Sequence, residues 1–463
     1  MSNWLPDLSQ STAPKYRAIV DAIAGDLAAG RLVPGTRMPT HRDLAWRLKV
    51  TVGTVARAYA EAERQGLLSG EVGRGTFVRE PGAADPSLAR YLNEAADSRL
   101  GMINLAVNRP DGDQAAWAVG PQLARLARRP DLATLLAYRF ESLSARHRAA
   151  GARWLAEEGA ELPPEQVAVT AGSQQAILAA LSVMTVPGDM VAVEEFTYPG
   201  IKSAVSLMGR TLVPVPMDAG GLVPDEVERA FHKGARVLYT IATVQNPMTT
   251  TLDEDRRRAI AAAARRHDAY VIEDGVHRFL NPSAPAPILV HAPERCVYLS
   301  TLSKSVSPGL RTAFVAVPPP LRPRFDAANG ALTLSLPTIL IEAACLMIEE
   351  GSAFENLSRL RQEAAARAGL AVEVLGGQVR PATPGFNVWL PLAPPWHSTD
   401  FVAEAARLGV SIAPTDTFAV GRPVGDGVRL SVSCPTDREQ LRRGLALLAG
   451  LLGRAPAPLA VTV

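Results

Sequence analysis

Tyr298-Leu-Ser-Thr-Leu-Ser-Lys304-Ser-Val-Ser-Pro-Gly-Leu-Arg311 is the stretch from which the rest of the chain is read. Its lysine stands just beyond a short apolar strand, Cys296 to Leu299, among four hydroxyls (Ser300, Thr301, Ser303 and Ser305), with Arg311 seven residues further on. A lysine used as an amine rather than as a charge has to be withdrawn from bulk water, because desolvation lowers its pKa and frees the nitrogen to form a Schiff base. Nearby hydroxyls and a guanidinium supply the neutral and charged donors that a phosphate monoester needs. Together they point to pyridoxal 5'-phosphate held covalently by Lys304. The same residues also suit a serine-rich surface loop with a solvated lysine, so the motif needs its surroundings.

Composition sets the bounds. A chain of 463 residues with 47% hydrophobic and 20% charged residues has the make-up of a soluble globular protein of two or three domains. The net charge of +2 excludes binding of a polyanion by bulk electrostatics. Residues 1–80 hold 11 Lys/Arg against 8 Asp/Glu, a mild excess of +3 that suggests nucleic acid only if a motif supports it. Cys296, Cys345 and Cys434 are far apart and odd in number, which indicates neither a disulfide framework nor a metal site. With no basic, then apolar, leader and no apolar run of bilayer length, a cytoplasmic protein without membrane contact is expected.

The first eighty residues are read as helix, helix-turn-helix and hairpin. Lys15 to Ala29 has Ile19, Ile23 and Leu27 on one face and Gly30 as a stop. Thr40 caps a second helix with Asp43 three residues on, and Thr51 starts a third that runs to about Gln65. Strands near Leu67–Glu71 and Thr76–Arg79 flank Val72-Gly-Arg-Gly75. In such a winged helix the third helix enters the major groove while the second helix and the wing reach phosphates. Arg42, Thr51, Thr54, Arg57 and Arg74 are the side chains so presented to DNA, although each alone also suits an ordinary solvated surface.

This segment resembles the winged-helix domain of GntR-type regulators, in Met38-Pro-Thr-His-Arg-Asp-Leu-Ala45, Val50-Thr-Val-Gly-Thr-Val-Ala-Arg-Ala-Tyr59, Gly66-Leu67 and Gly73-Arg-Gly-Thr-Phe-Val78. Where the family usually places a polar base reader, this chain has Val52-Gly53, which suits apolar recognition such as a thymine methyl.

Glu80 to Ser87, rich in Pro, Gly and Ala, reads as a linker. From about Met102, helices alternate with short apolar strands, the pattern of a mostly parallel sheet covered on both faces. The candidate strands are 167–169, 190–193, 237–241, 270–272, 297–299 and 312–317. Ligand groups in such a sheet gather beyond the C-terminal strand ends. There stand Gly172, Ser173 and Gln174, a candidate phosphate cradle before a helix over 176–184, and Tyr198, suited to stack on a flat ring or to fill a core. Asn246 can donate to a phenolate oxygen, and Asp274 can keep a pyridine nitrogen protonated or merely cap a helix.

In order and content, the segment from Met102 onward resembles fold-type I aminotransferases, and the whole chain resembles the MocR/GabR subfamily of transcription regulators. The fold class expected is α/β, an N-terminal winged helix-turn-helix over 1–79, a linker over 80–101 and an aminotransferase-like, dimerising domain over 102–463. The resemblance implies that Lys304 holds pyridoxal 5'-phosphate, Asp274 pairs with the pyridine nitrogen, Asn246 bonds the ring oxygen and Tyr198 stacks on the ring. It assigns the phosphate to Gly172, Ser173, Gln174, Thr301, Ser303 and Arg311, and a substrate carboxylate to Arg429 within Gly427-Val-Arg-Leu-Ser431. Tyr138 is expected to reach a partner subunit's phosphate, beside an altered Glu141-Ser-Leu-Ser144.

Two departures bear on function. His277 replaces a tyrosine that usually bonds the ring oxygen, with imidazole expected still to donate, and Asn246-Pro-Met-Thr249 replaces a glycine-bearing turn. The expectation is a homodimeric regulator, not an enzyme beyond a residual half-reaction, that binds operator DNA in response to the cofactor or an amino-acid-like effector. The alternatives are an active aminotransferase with an accessory DNA-binding domain and a DNA-binding protein with a purely structural dimerisation domain.

Overall fold

The computed structural model describes residues 4–8, 14–64, 67–71, 75–78, 88, 101–109, 112–138, 145–379, 385–421 and 425–454. Arg74, the linker apart from Leu88 and Gly101, and the 141–144 stretch lie outside these residues. The N-terminal head has helices α1 (Lys15–Ala28), α2 (His41–Leu48) and α3 (Val52–Arg64), followed by the antiparallel pair β1 (Leu68–Glu71) and β2 (Gly75–Val78). Thr40 accepts a hydrogen bond from the Asp43 N–H at 3.2 Å, so α2 starts with its side-chain cap in place. Ile19, Ile23, Leu44, Val55, Tyr59 and Leu68 close one small core among these elements.

The body is organised around a seven-stranded sheet. Following β3 (Ile103–Leu105), its strands are β4 (Val167–Thr170), β5 (Met190–Glu194), β6 (Thr211–Val215), β9 (Ala235–Thr240), β10 (Tyr270–Asp274), β11 (Cys296–Thr301) and β12 (Ala313–Ala316), with the short pair β7 (Met217–Asp218) and β8 (Gly221–Leu222) beside it. The order is β4-β12-β11-β10-β9-β5-β6, parallel throughout except at β12, which runs against both its neighbours. The period-two pleat divides each strand between two cores: Cys296 and Tyr298 of β11 face one, Val297 and Leu299 the other, and the neighbouring Val271 and Ile272 split likewise. Both faces are thus buried, which is why these strands read as continuous apolar runs.

A smaller four-stranded sheet, order β13-β15-β14-β3, joins β13 (Asn387–Pro391), β14 (Val410–Pro414) and β15 (Gly427–Ser431) to the early strand β3. Its parallel β14·β3 pair brings residues 103–105 across more than three hundred positions of sequence, a pairing that local pattern does not reveal. The six strands expected in the large sheet are all present; β6 and the whole small sheet were not anticipated. Of the α/β body, therefore, the mostly parallel layer was legible and its companion was not.

Candidate functional site

Parallel strands leave their C-terminal ends on one side, and the turns there converge. Lys304 follows β11 and its ammonium donates to the Asn108 carbonyl, which comes from the turn after β3. Thr301, the last residue of β11, accepts from the Ser303 N–H at 3.1 Å and donates to the Thr312 carbonyl at 3.2 Å, locking the lysine turn against β12. Across from it, the helix Ser173–Met184 starts three residues earlier than expected, with Gly172 at its cap and no side chain satisfying its first N–H groups. Arg311, itself in the left-handed region at φ 44°, lays its guanidinium over this end and donates to the Ala171 carbonyl at 3.0 Å.

The approach is close enough to need a glycine. A Cβ at Gly172 would lie 2.4 Å from the Arg311 Nη2, and its φ of +90° already favours glycine. Helix N–H groups without a side-chain cap and the Arg311 guanidinium laid beside them are suited to a phosphate dianion. Gln174 contributes through its backbone, since its side chain turns away to donate to the Gly200 carbonyl at 2.9 Å. Gly200 is equally constrained: a Cβ there would sit 2.1 Å from the half-buried Tyr198 ring.

The cleft floor is buried and charged. Asp274 accepts from the Tyr239 hydroxyl at 2.8 Å and from the Val276 N–H at 3.1 Å. Burial pushes its carboxyl up to about 6, with the tyrosine bond pulling the other way, so a cation brought against it would restore full ionisation. Asn246 accepts from Arg429 Nη1 at 3.0 Å through its carbonyl oxygen, which leaves its amide nitrogen as the donor. Arg429 is fully buried, gives its other η nitrogen to the Ala106 carbonyl, and lies 4.7 Å from the centre of the Phe418 ring. The residue expected to clamp a carboxylate is therefore buried and braced by Asn246 and Ala106. His277 is buried beside these groups, with Nδ1 2.9 Å from the Val244 carbonyl. Its pKa is pushed down to about 4, first by burial and then by Lys304 and Arg429.

Pyridoxal 5'-phosphate fits this donor set. Beside Lys304 the buried atoms Asn108 Oδ1 and Ser305 Oγ have no hydrogen-bond partner within the protein, and the Gly172 cradle has room only while no Cβ fills it. The structure brings Lys304, Asp274, Asn246, His277, Arg429 and the Gly172–Arg311 cradle to one side of the sheet, and Tyr138, expected to reach a partner subunit, is 71% exposed. Sequence reading missed Tyr239, Asn108 and Asn387. Tyr239 pairs in register with Ile272, two residues short of Asp274, and nothing marks it out in an apolar strand. Asn108 donates to Asn387 at 2.9 Å, which in turn donates to the Pro247 carbonyl at 2.9 Å, a chain across three separated segments.

On the head, Arg42 and Thr51 are exposed and Thr54 half-buried; the Thr51 and Thr54 hydroxyls lie 2.8 Å apart, with Thr51 capping α3 through the Thr54 N–H at 3.1 Å. Val52 is 46% exposed, as apolar base contact requires. Trp46, 81% exposed on α2, was not singled out in advance. Arg57 departs from expectation. Its guanidinium lies 3.9 Å from the centre of the Tyr16 ring and donates to Asp400 of the body, so it is turned from solvent toward the body. Nearby, Arg17 Nη1 lies 3.2 Å from His397 Nδ1 and 4.0 Å from Asp426.

Comparison with known proteins agrees with this division. Residues 101–448 match the family of class I and II aminotransferases, and residues 15–78 the GntR family of bacterial regulatory proteins. The chain is 30% identical to the uncharacterised HTH-type transcriptional regulator YdeF of Bacillus subtilis, covering 97% of each chain. It is 29% identical to the vitamin B6 salvage pathway transcriptional repressor PtsJ of Salmonella typhimurium, over 91% of this chain and 95% of that one. Among solved structures, an archaeal alanine:glyoxylate aminotransferase superposes with a TM-score of 0.73 at 22% identity, over 85% of this chain and 98% of its own, a likeness of fold.

Proposed function

The chain belongs to the class I and II aminotransferase family and, through its GntR head, to the MocR/GabR type of transcription regulator; from that premise we propose that its operator binding responds to pyridoxal 5'-phosphate, or to an amino compound reacting at Lys304. The observation that carries this reading is Arg57. A residue of the helix expected to read DNA is bonded to Asp400 of the body, so any rearrangement of the body acts on the reading helix directly. A head that merely accompanied an enzyme would need no such contact.

When bound, pyridoxal phosphate supplies an electrophilic carbon and an electron-drawing ring. The chain's own residues do the rest. Gly172, Ser173 and Gln174 offer backbone N–H groups, and Arg311 and Ser303 offer side chains, to the phosphate, while Thr301, its hydroxyl given to the Thr312 carbonyl, fixes the turn before Lys304. Asp274, steadied by Tyr239, would hold a proton at the ring nitrogen, and Tyr198 would cover the ring. Lys304 is the attachment point, its amine kept in place by the Asn108 carbonyl. Residues 1–79 form the reader, 80–101 the linker and 102–463 the dimerising body, so that two heads meet two half-sites of operator DNA in the cytoplasm. For a ligand to change DNA affinity it must bind two arrangements of head and body unequally.

Turnover is not required by this reading. The test is operator binding by a fluorescent upstream fragment at fixed salt, comparing apo protein, cofactor-loaded protein and Lys304→Ala. A cofactor-dependent change in affinity, lost in Lys304→Ala while the variant stays folded, is the expected result. DNA binding indifferent to the cofactor, together with sustained exchange between an amino donor and a keto acid, would establish the aminotransferase alternative instead.

A further inference from the structure

We propose that His277 presents a lone pair, not a proton, to the phenolic oxygen of the bound cofactor and thereby holds that oxygen as a hydroxyl. The inference rests on the reading that pyridoxal phosphate binds at Lys304, and it reverses the donor role that the sequence suggested for this imidazole. The Val244 oxygen can only accept, so the His277 Nδ1 that lies 2.9 Å from it carries the hydrogen. A neutral imidazole has one N–H, and with Nδ1 holding it, Nε2 is left as an acceptor.

Two escapes are closed. The first is a doubly protonated ring, which would donate at both nitrogens. His277 is 3% exposed, so a charged ring would stand without water to screen it, beside the buried Arg429 guanidinium. The second is a turned ring with Nδ1 facing the cleft, which would leave the Val244 carbonyl facing a carbon. That carbonyl does not follow. Val244 is a buried β-branched residue at φ +50°, held there by its own N–H donating to Thr251 Oγ1 at 3.1 Å, with Gln245 donating to the Thr250 carbonyl at 2.8 Å and Leu252 to Ala242 at 2.9 Å. The edge-on Phe386 ring, 6.2 Å away at 88°, packs against the imidazole besides.

Asn246 is the second neighbour of that phenolic oxygen. Its oxygen is taken by Arg429, so it meets the cofactor with N–H. An oxygen between one donor and one acceptor is best served as a hydroxyl, which accepts from Asn246 and donates to His277; a phenolate would set its charge against the imidazole lone pair. With the proton kept on oxygen, the nitrogen joined to Lys304 goes without it, and the adjacent carbon is a weaker electrophile toward amines. A site so tuned retains its cofactor rather than turning it over, which suits a sensor.

Two measurements test this. In the apo protein, long-range proton–nitrogen NMR of the imidazole should show the Nδ1–H form of His277; the Nε2–H form overturns the inference whatever the cofactor does. In protein loaded with pyridoxal phosphate, absorbance should be dominated by the near-ultraviolet band of the hydroxyl form. His277→Tyr, which restores a donor, should shift the dominance to the visible band, with His277→Phe between them. A dominant visible band in the unsubstituted protein, unchanged in His277→Tyr, overturns the proposal. Borohydride reduction followed by peptide mass spectrometry separates the two readings: no adduct on Lys304 defeats the cofactor assignment, whereas an adduct with the wrong spectrum defeats only the role given to His277.

Discussion

Two arginine–carboxylate pairs, one in the body floor and one between head and body, use the same chemistry at different depths. Arg257 and Glu273 lie 3.1 Å apart with side chains 0% and 3% exposed, and Arg257 also donates to the Ala242 and Leu252 carbonyls and to Thr243. Arg57 and Asp400 keep 25% and 29% of their side chains in solvent. Buried, a charge without its partner is costly and the pair acts as a rigid strut under β10. Half-exposed, the pair is screened by water and salt, gains little, and can be exchanged for another partner such as a phosphate. The floor is therefore built to stay and the head contact to let go.

The largest effect should come from breaking the buried strut. Arg257→Ala leaves Glu273 without its partner, and a loss of roughly 3–5 kcal/mol is expected in denaturant unfolding of the apo protein. A loss below about 1 kcal/mol, the range of exposed pairs, would erase the contrast. Next in size is Gly172→Ala. The left-handed φ and the 2.4 Å approach to Arg311 should cost about 1–3 kcal/mol and weaken cofactor binding in an absorbance titration, with Arg311→Lys weakening it without the loss in stability.

A third prediction concerns pH. Burial raises the Glu158 carboxyl from 4.5 to about 7, against the pull of hydrogen bonds from Tyr298 at 2.7 Å and Ser300 at 2.8 Å. A folded pKa above the unfolded one means that the folded state binds the proton more tightly, so this share of stability is complete below pH 4.5 and lost as pH rises through 7. Glu158→Gln should remove that part of the slope between pH 5 and 7 in unfolding experiments; an unchanged slope refutes the assignment. The smallest effect is expected at the head. Asp400→Asn should change apo stability by no more than about 1 kcal/mol, yet tighten operator binding by releasing Arg57, with the difference shrinking as salt rises. Equal operator affinity at low salt would show that the contact does not restrain the head.

Much of the molecule was legible because its signals are local. The caps at Thr40 and Thr51, the apolar period of α1 and α3, and the strand-then-polar-turn rhythm of the large sheet each depend on residues a few positions apart, and the structure realises them. The placing of Lys304, Asp274 and Asn246 at strand ends was legible for the same reason, since Asp274 ends β10 and the other two stand in the turns after β11 and β9. Tyr239 was not, because its value lies in facing Asp274 from the adjacent strand, and a tyrosine in an apolar run looks like core. Arg57 was assigned to DNA from its helix alone, and its partner Asp400 is 343 residues away.

What the sequence by itself determined is the kind of elements, their order, and which turns carry reactive groups, because backbone preference and side-chain period act over one or two turns of chain. What only the tertiary structure decided is the state of those groups. How Arg429 is braced, whether His277 offers a proton or a lone pair, and whether Arg57 faces DNA or its own body each depend on a carbonyl, an amide or a carboxylate supplied from a distant segment. Hydrogen-bond capacity is finite, and folding commits it.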